Sequence, residues 1–161
     1  MRSAVILTLM WLTTGGKARA CESIDRHVDP IELELRQPIS GDEASRTVMF
    51  GQRREASRIK RQSGLDYHVP PETAVIAVLG GRIKKARTFE TYGRTIIIDH
   101  GSRLKTLYAH LDGFAVREGD CVVEGTVLGR AGAAAAGSAT LHFEASEDGQ
   151  FIYPLQISKP E

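Results

Sequence analysis

From residue 64 onward the chain is a succession of short apolar runs, most of them stopped by a glycine within a few residues. Residues 74–79 are apolar and end at Gly80-Gly81. Thr95-Ile96-Ile97-Ile98 follows Gly93, Asp99-His100-Gly101-Ser102 reads as a turn, and residues 104–109 return. Cys121-Val122-Val123 and Val127-Leu128-Gly129 are separated by Glu124-Gly125. Runs of this length, rich in β-branched residues and bounded by turn formers, specify strands and hairpins. No amphipathic stretch of ten or more residues supports a helix, and no repeat is evident. The expected class is therefore all-β, a single antiparallel β-sheet domain. Aromatic residues make up only 6% of the chain, so Val, Ile, Leu and Ala must fill its core.

The densest β-branched run, residues 95–98, is expected to be central in the sheet. Residues 82–89 form a more polar strand beside it. Leu141-His142-Phe143-Glu144 reads as a short final strand, with residues 152–155 tucking in the end. Upstream, Ile31-Glu32-Leu33-Glu34-Leu35 alternates with period two, and Thr47-Val48-Met49-Phe50 is a short strand stopped by Gly51. The basic segment 53–62 is expected to be a surface loop or short helix. The Gly/Ala-rich segment 131–138 has no clear period and is expected to be a loop.

The length of 161 residues suits one ordinary domain. Its first twenty residues resemble a secretory signal. Arg2 gives a positive start, residues 4–12 are apolar, and Ala18-Arg19-Ala20 has the small-x-small form of a cleavage site. The apolar run is shorter than the ~20 residues that span a bilayer, so no transmembrane span is expected after cleavage. Cys21 directly follows Ala20, which admits a lipoprotein form, although Arg19 makes this the poorer fit. The expected organisation is a signal at 1–20, a lead-in at 21–36 and the β domain at 37–158, in an exported protein of the periplasm or cell envelope.

Removal of Arg2, Lys17 and Arg19 with the signal takes three from 21 basic residues. The mature chain then carries 18 against 20 acidic side chains, a net of −2. That balance argues against a nucleic-acid binder. Positive charge is nevertheless clustered at Arg53, Arg54, Arg58, Lys60 and Arg61, and again at Arg82, Lys84, Lys85 and Arg87. Such clusters are ordinarily solvated faces, but they also suit an anionic polymer or an acidic partner surface. The two cysteines, Cys21 and Cys121, lie in no CxxC motif; in an oxidising compartment they either pair or stay free. A bridge over so long a loop contributes up to ~4–5 kcal/mol in the chain-entropy account.

Several segments occur in an order that resembles the LytM/M23 peptidase domains of lysostaphin-like peptidoglycan metallopeptidases. Gln37-Pro38-Ile39-Ser40-Gly41 with Phe50-Gly51 resembles their lead-in. Ser63-Gly64-Leu65-Asp66-Tyr67 resembles their first metal motif, and Tyr108-Ala109-His110-Leu111 their Tyr-x-His-Leu segment. Gly119-Asp120 and Gly125-x-Val127-x-Gly129-x-x-Gly132 resemble the following hairpin. Leu141-His142-Phe143-Glu144 resembles the end of their His-Leu-His-Phe-Glu motif. The resemblance covers residues 37–145.

What the resemblance implies is a zinc endopeptidase acting on peptidoglycan crosslinks. His-x-x-x-Asp and the second histidine of His-x-His would hold the metal. The remaining two histidines would assist water and oxyanion. Carried over, Asp66 and His142 match ligands and His110 matches a catalytic histidine. Gln62 stands where the first ligand histidine belongs, and Thr140 stands at the other catalytic position. A catalytic zinc needs three protein ligands and an open position. Gln62 offers only a weak amide oxygen, and a Thr140 hydroxyl cannot relay a proton near neutral pH without its own base. His68, two residues after Asp66, shares its face of an extended strand and is a candidate replacement.

The resemblance therefore implies no zinc or weakly bound zinc. It points to a catalytically inactive LytM/M23-like envelope protein in peptidoglycan remodelling, with peptidoglycan or a cell-wall amidase as partner. A divergent zinc endopeptidase and a structural part of an envelope assembly are the alternatives.

Overall fold

The computed structural model describes residues 37–41, 45–47, 51–55, 58–62, 64–132 and 139–152, with backbone pairing alone for 45–47, 51–55 and 58–62. Among these residues all regular structure is strand. In chain order the strands are β1 (Ser45–Thr47), β2 (Gly51–Glu55), β3 (Arg58–Gln62), β4 (Leu65–Val69), β5 (Ala74–Ile76) and β6 (Gly81–Phe89). They continue as β7 (Gly93–Asp99), β8 (Leu104–Leu111), β9 (Cys121–Val122), β10 (Val127–Arg130), β11 (Ala139–Glu147) and β12 (Gln150–Ile152). The main sheet runs β1-β4-β11-β8-β7-β6-β9, with β12 paired to β11, and its ladders are antiparallel. The β10–β5 pair forms a small second sheet, and β2–β3 a separate hairpin.

Alternation sends Leu65, Tyr67 and Val69 of β4 to one face with Leu141, Phe143 and Ala145 of β11. Tyr108 of β8 and Ile96 and Ile98 of β7 continue that face, and all join Val75 of β5 and Leu128 of β10 in one apolar cluster. Fully burying an Ile contributes roughly 1.5–3 kcal/mol, so the run 95–98 does anchor the centre of the sheet. The opposite face carries Asp66 and His68 of β4 beside His142 and Thr140 of β11.

One buried polar network crosses the core. His100 Nδ1 lies 2.9 Å from the Gly80 carbonyl oxygen and Nε2 lies 2.7 Å from Thr106 Oγ1. Thr106 Oγ1 is 3.3 Å from the Tyr108 hydroxyl, which accepts from the Val78 N–H at 3.1 Å. One proton arrangement satisfies the chain: Tyr108 donates to Thr106, Thr106 to Nε2, and Nδ1–H to Gly80. Burial pushes His100 below its ordinary pKa, partly opposed by the Gly80 bond, and pushes Tyr108 up to about 12.

Three sequence expectations need correction. The basic segment 53–62 is a strand hairpin, with Gly51 opposite Gln62 and Glu55 opposite Arg58. Cross-strand pairing around the two intervening residues makes these strands, and no apolar alternation marks them in the sequence. The strand containing Leu141-His142-Phe143-Glu144 is neither short nor terminal in space. β11 has nine residues and pairs with β4, β8 and β12. The apolar run 74–79 is a strand only to Ile76, because Ala77 bonds instead to the Thr126 loop. The expected signal, the strand at 31–35, residues 48–50, residues 133–138 and Cys21, and with it the Cys21–Cys121 bridge, lie outside the described residues.

Candidate active site

The β4–β11 register places Asp66 directly opposite His142 and His68 opposite Thr140. Side chains opposite each other in adjacent strands lie within reach. His142 Nδ1 meets Asp66 Oδ1 at 2.6 Å. Glu144, two residues on and on the same face, brings Oε1 to 3.0 Å from His142 Nε2. Tyr92 donates its hydroxyl to the same Glu144 oxygen at 3.2 Å, and its ring lies 5.6 Å from the imidazole. Glu144 and His142 are buried. A glycine makes room for them: at Gly64, with φ of 108°, an added Cβ would lie 2.8 Å from Glu144 Cγ and 3.1 Å from His142 Cε1.

Two carboxylates on one imidazole fix its charge. Burial alone would push His142 down. The hydrogen bonds to Asp66 and Glu144 outweigh that and hold its pKa at about 9. Reciprocally, the bond from His142 holds Asp66 below the usual carboxylate range, against burial. At neutral pH the group is an imidazolium donating from both nitrogens.

His110 reaches the site by another device. The β7–β8 register shifts between Arg94 and Ile96, so β8 bulges there, and His110 takes a φ of 63°. Non-glycine residues seldom adopt this left-handed backbone, and at functional sites such bulges re-aim side chains. Its N–H is held by the Tyr92 carbonyl at 3.1 Å and its carbonyl by the Gly132 N–H at 2.8 Å. The ring centroid comes to 6.1 Å from that of His142. Burial, then repulsion from His142, lowers the His110 pKa, with Asp66 opposing. His110 and Thr140 line a cavity of 680 Å³ with Arg94, Asp112 and Gly132. Arg94 reaches Asp112 at 3.6 Å across it, an exposed pair.

The structure thus brings Asp66, His142 and His110 close together, while the cavity beside them is lined by His110 and Thr140 and not by Asp66 or His142. Gln62 ends β3, its backbone opposite Gly51. His68 Nδ1 lies 3.2 Å from Thr140 Oγ1, so its nearest recorded partner is the residue at the second catalytic position. The sequence motifs assign no role to Glu144, although the i, i+2 spacing of His142 and Glu144 on a strand carries the signal. Tyr92 had no signal, since it arrives from a turn.

Zinc requires lone pairs. Asp66 and His142 Nδ1 supply two ligand-type groups, and Glu144 on Nε2 is the carboxylate partner that a ligand histidine ordinarily keeps, but Thr140 contributes only a hydroxyl and a third strong ligand is lacking. Among the described residues no group of three or more His, Cys, Asp or Glu side chains could hold a metal ion. The residues present do not fit a zinc centre.

Residues 60–154 match peptidase family M23. The chain belongs to that family. It is 35% identical over 99 residues to the DD-carboxypeptidase/endopeptidase Mpg of Neisseria meningitidis, covering 61% of this chain and 23% of that protein. It is 34% identical over 94 residues to the murein hydrolase activator NlpD of Escherichia coli, covering 58% of this chain and 25% of that one. The chain therefore spans about a quarter of the length of these curated relatives. Its fold is similar to that of a zinc-containing peptidase from Vibrio cholerae, with a TM-score of 0.69 at 26% identity, over 81% of this chain and 42% of that one. The M23 domain thus has relatives named both for hydrolysis and for activation of hydrolases.

Proposed function

We propose that this M23 domain acts in peptidoglycan remodelling at the bacterial cell envelope without hydrolysing peptide bonds, its groove serving to dock wall peptide or a wall amidase. The carrying observation is the donor set: Asp66 and His142 supply two ligand-type groups, Gln62 and Thr140 stand where the family resemblance implies histidines, and among the described residues no group of three or more His, Cys, Asp or Glu side chains could hold a metal ion. A catalytic zinc needs three protein ligands. Thr140, the second departure, removes a proton relay, and such groups typically contribute ~10²–10⁴-fold to rate. The likeness to the murein hydrolase activator is compatible with a docking role, and the likeness to the endopeptidase with a chemical one, so the donor set decides between them. Export follows from Arg2, the apolar residues 4–12 and Ala18-Arg19-Ala20.

The endopeptidase reading keeps one observation in its favour, since Asp66, His142 and His110 lie close together. The test is release of soluble fragments from purified wall by the full protein, with and without zinc and chelator, alongside metal quantification. The expected outcome is no release and no stoichiometric zinc, with faster digestion when a wall amidase is added. Gln62→His combined with Thr140→His should then restore zinc binding. Chelator-sensitive release by the unmodified protein, lost in Asp66→Ala, overturns the non-hydrolytic reading.

A further inference from the structure

The edge of β6 borders the cavity, which Thr88 also lines, and carries features of its own. β7 pairs with β6 along one side, from Arg82 to Phe89, whereas the other side is covered by β9 at Gly81 and Arg82 and by the Gly119–Asp120 backbone at Ile83. The strand bulges between Ile83 and Lys85, and beyond that bulge no described strand pairs with its outer side. Bulges end pairing and leave backbone groups open.

The direction of those groups can be read from Ala86. Its N–H points outward, where it donates to Glu118 Oε1 at 3.2 Å. In an antiparallel strand, alternate residues send both backbone groups to the same side. The Ala86 carbonyl and the N–H and carbonyl of Thr88 therefore also face outward. These are the groups an added strand would use.

The side chains along this edge are cationic. Lys84 and Arg87 are exposed, and neither makes an ion pair among the described residues. Lys85 Nζ lies 3.9 Å from Glu118 Oε2. Arg87 is held with its guanidinium carbon 4.7 Å over the Phe89 ring, which limits its freedom before binding. Glu118 displays the recognition mode within the molecule: one carboxylate takes an edge N–H and approaches the adjacent lysine. Lysines on an edge ordinarily keep copies of a chain from pairing. They do so by like-charge repulsion, which a strand bearing carboxylates converts to attraction. The charge pattern therefore selects against a second copy and for an acidic partner.

We propose that the outer edge of β6, from Lys85 to Phe89, docks an extended, carboxylate-bearing segment of a partner protein as an added strand. Lys84, Lys85 and Arg87 supply the charge, and the Ala86 carbonyl with the N–H and carbonyl of Thr88 the backbone pairing, the Ala86 N–H being already donated to Glu118. The site takes acidic polypeptide, because a polyanion without peptide groups can answer the charges but not the edge.

The experiment uses the full chain and a fluorescent eight-residue peptide of alternating Glu and Thr, followed by anisotropy at moderate salt. Comparison peptides replace Glu with Lys, or keep Glu and carry backbone N-methyl groups on alternate residues. The Glu–Thr peptide is expected to bind. Arg87→Glu and Thr88→Pro should each weaken it at least tenfold, the latter because proline removes the edge N–H. The N-methylated peptide should bind the unmodified protein at least tenfold more weakly, which tests pairing even if Thr88→Pro fails to fold. Absence of binding overturns the proposal. So does equal binding of the N-methylated and plain peptides, which would assign the edge to charge alone and favour an anionic polymer. Equal binding of the Lys peptide overturns it as well.

Discussion

Two histidines are buried in this domain with both ring nitrogens hydrogen-bonded, yet their charge states differ. His100 sits between the Gly80 carbonyl and the Thr106 hydroxyl, and burial lowers its pKa. His142 sits between the Asp66 and Glu144 carboxylates, and its pKa rises to about 9 despite burial. Each packs against a glycine: an added Cβ at Gly81 would meet His100 Nδ1 at 2.9 Å, and one at Gly64 would meet His142 Cε1 at 3.1 Å. Burial is thus common to both, and the partners decide the charge. A neutral carbonyl and hydroxyl accommodate a neutral imidazole, whereas two carboxylates require a cation. The first histidine ties β8 to the Gly80 turn. The second ties β4 to β11 at the place where the family resemblance implies a metal.

The comparison breaks most sharply at His142. His142→Ala leaves Asp66 and Glu144 facing each other without a cation. Removing one member of a buried charged set costs roughly 3–5 kcal/mol, and denaturant unfolding should show a loss in that range. A loss below ~1 kcal/mol would mean that the carboxylates are solvated and that the imidazolium is not what holds the two strands there.

The pH dependence of stability separates the two histidines next. His142 has a folded pKa above the unfolded value of ~6.5. Its contribution is fully present below that value and is lost as pH rises through about 9. The total is on the order of 3 kcal/mol. His100 has a folded pKa below its unfolded value, so its contribution is full above ~6.5 and declines as pH falls further. Asp66, with its pKa lowered, adds a loss once pH falls below the usual carboxylate range. Unfolding free energy measured from pH 4 to 10 should fall on both sides of a maximum near neutrality. His142→Ala should flatten the alkaline side and also remove the Asp66 share of the acid side, leaving the share of His100.

The smallest effect tests the neutral network. Thr106→Val removes the donor to His100 Nε2 and the acceptor for Tyr108, and a lost buried hydrogen bond costs ~1–2 kcal/mol. The variant should lose about that much at pH 7 and should leave the alkaline limb unchanged. A shift of the alkaline limb would couple the two networks, which share no hydrogen bond among the described residues.

Much of this molecule is written in local pattern. Residues 95–98 specify a central strand because β-branched side chains alternate between core and opposite face, and Ile96 and Ile98 are fully buried. Asp66, His110 and His142 are identifiable from short motifs, as is the departure at Thr140. The hairpin β2–β3 was not legible, since an arginine-rich strand carries no apolar period and is made by its partner strand. Nor was the length of β11, which depends on three neighbours distant in sequence.

The state of the site belongs to tertiary structure. Sequence places Glu144 two residues from His142 and so on the same face, but only the register of β4 against β11 sets Asp66 opposite the same ring. That register brings two ligand-type residues into direct contact at 2.6 Å. His110 likewise reads as an ordinary strand residue until the shift against β7 forces its backbone to a φ of 63° and re-aims its ring. Sequence determined which groups are available, because side-chain chemistry is local. Pairing across strands decided what those groups can do, because charge and lone pairs are set by neighbours the chain brings from far away.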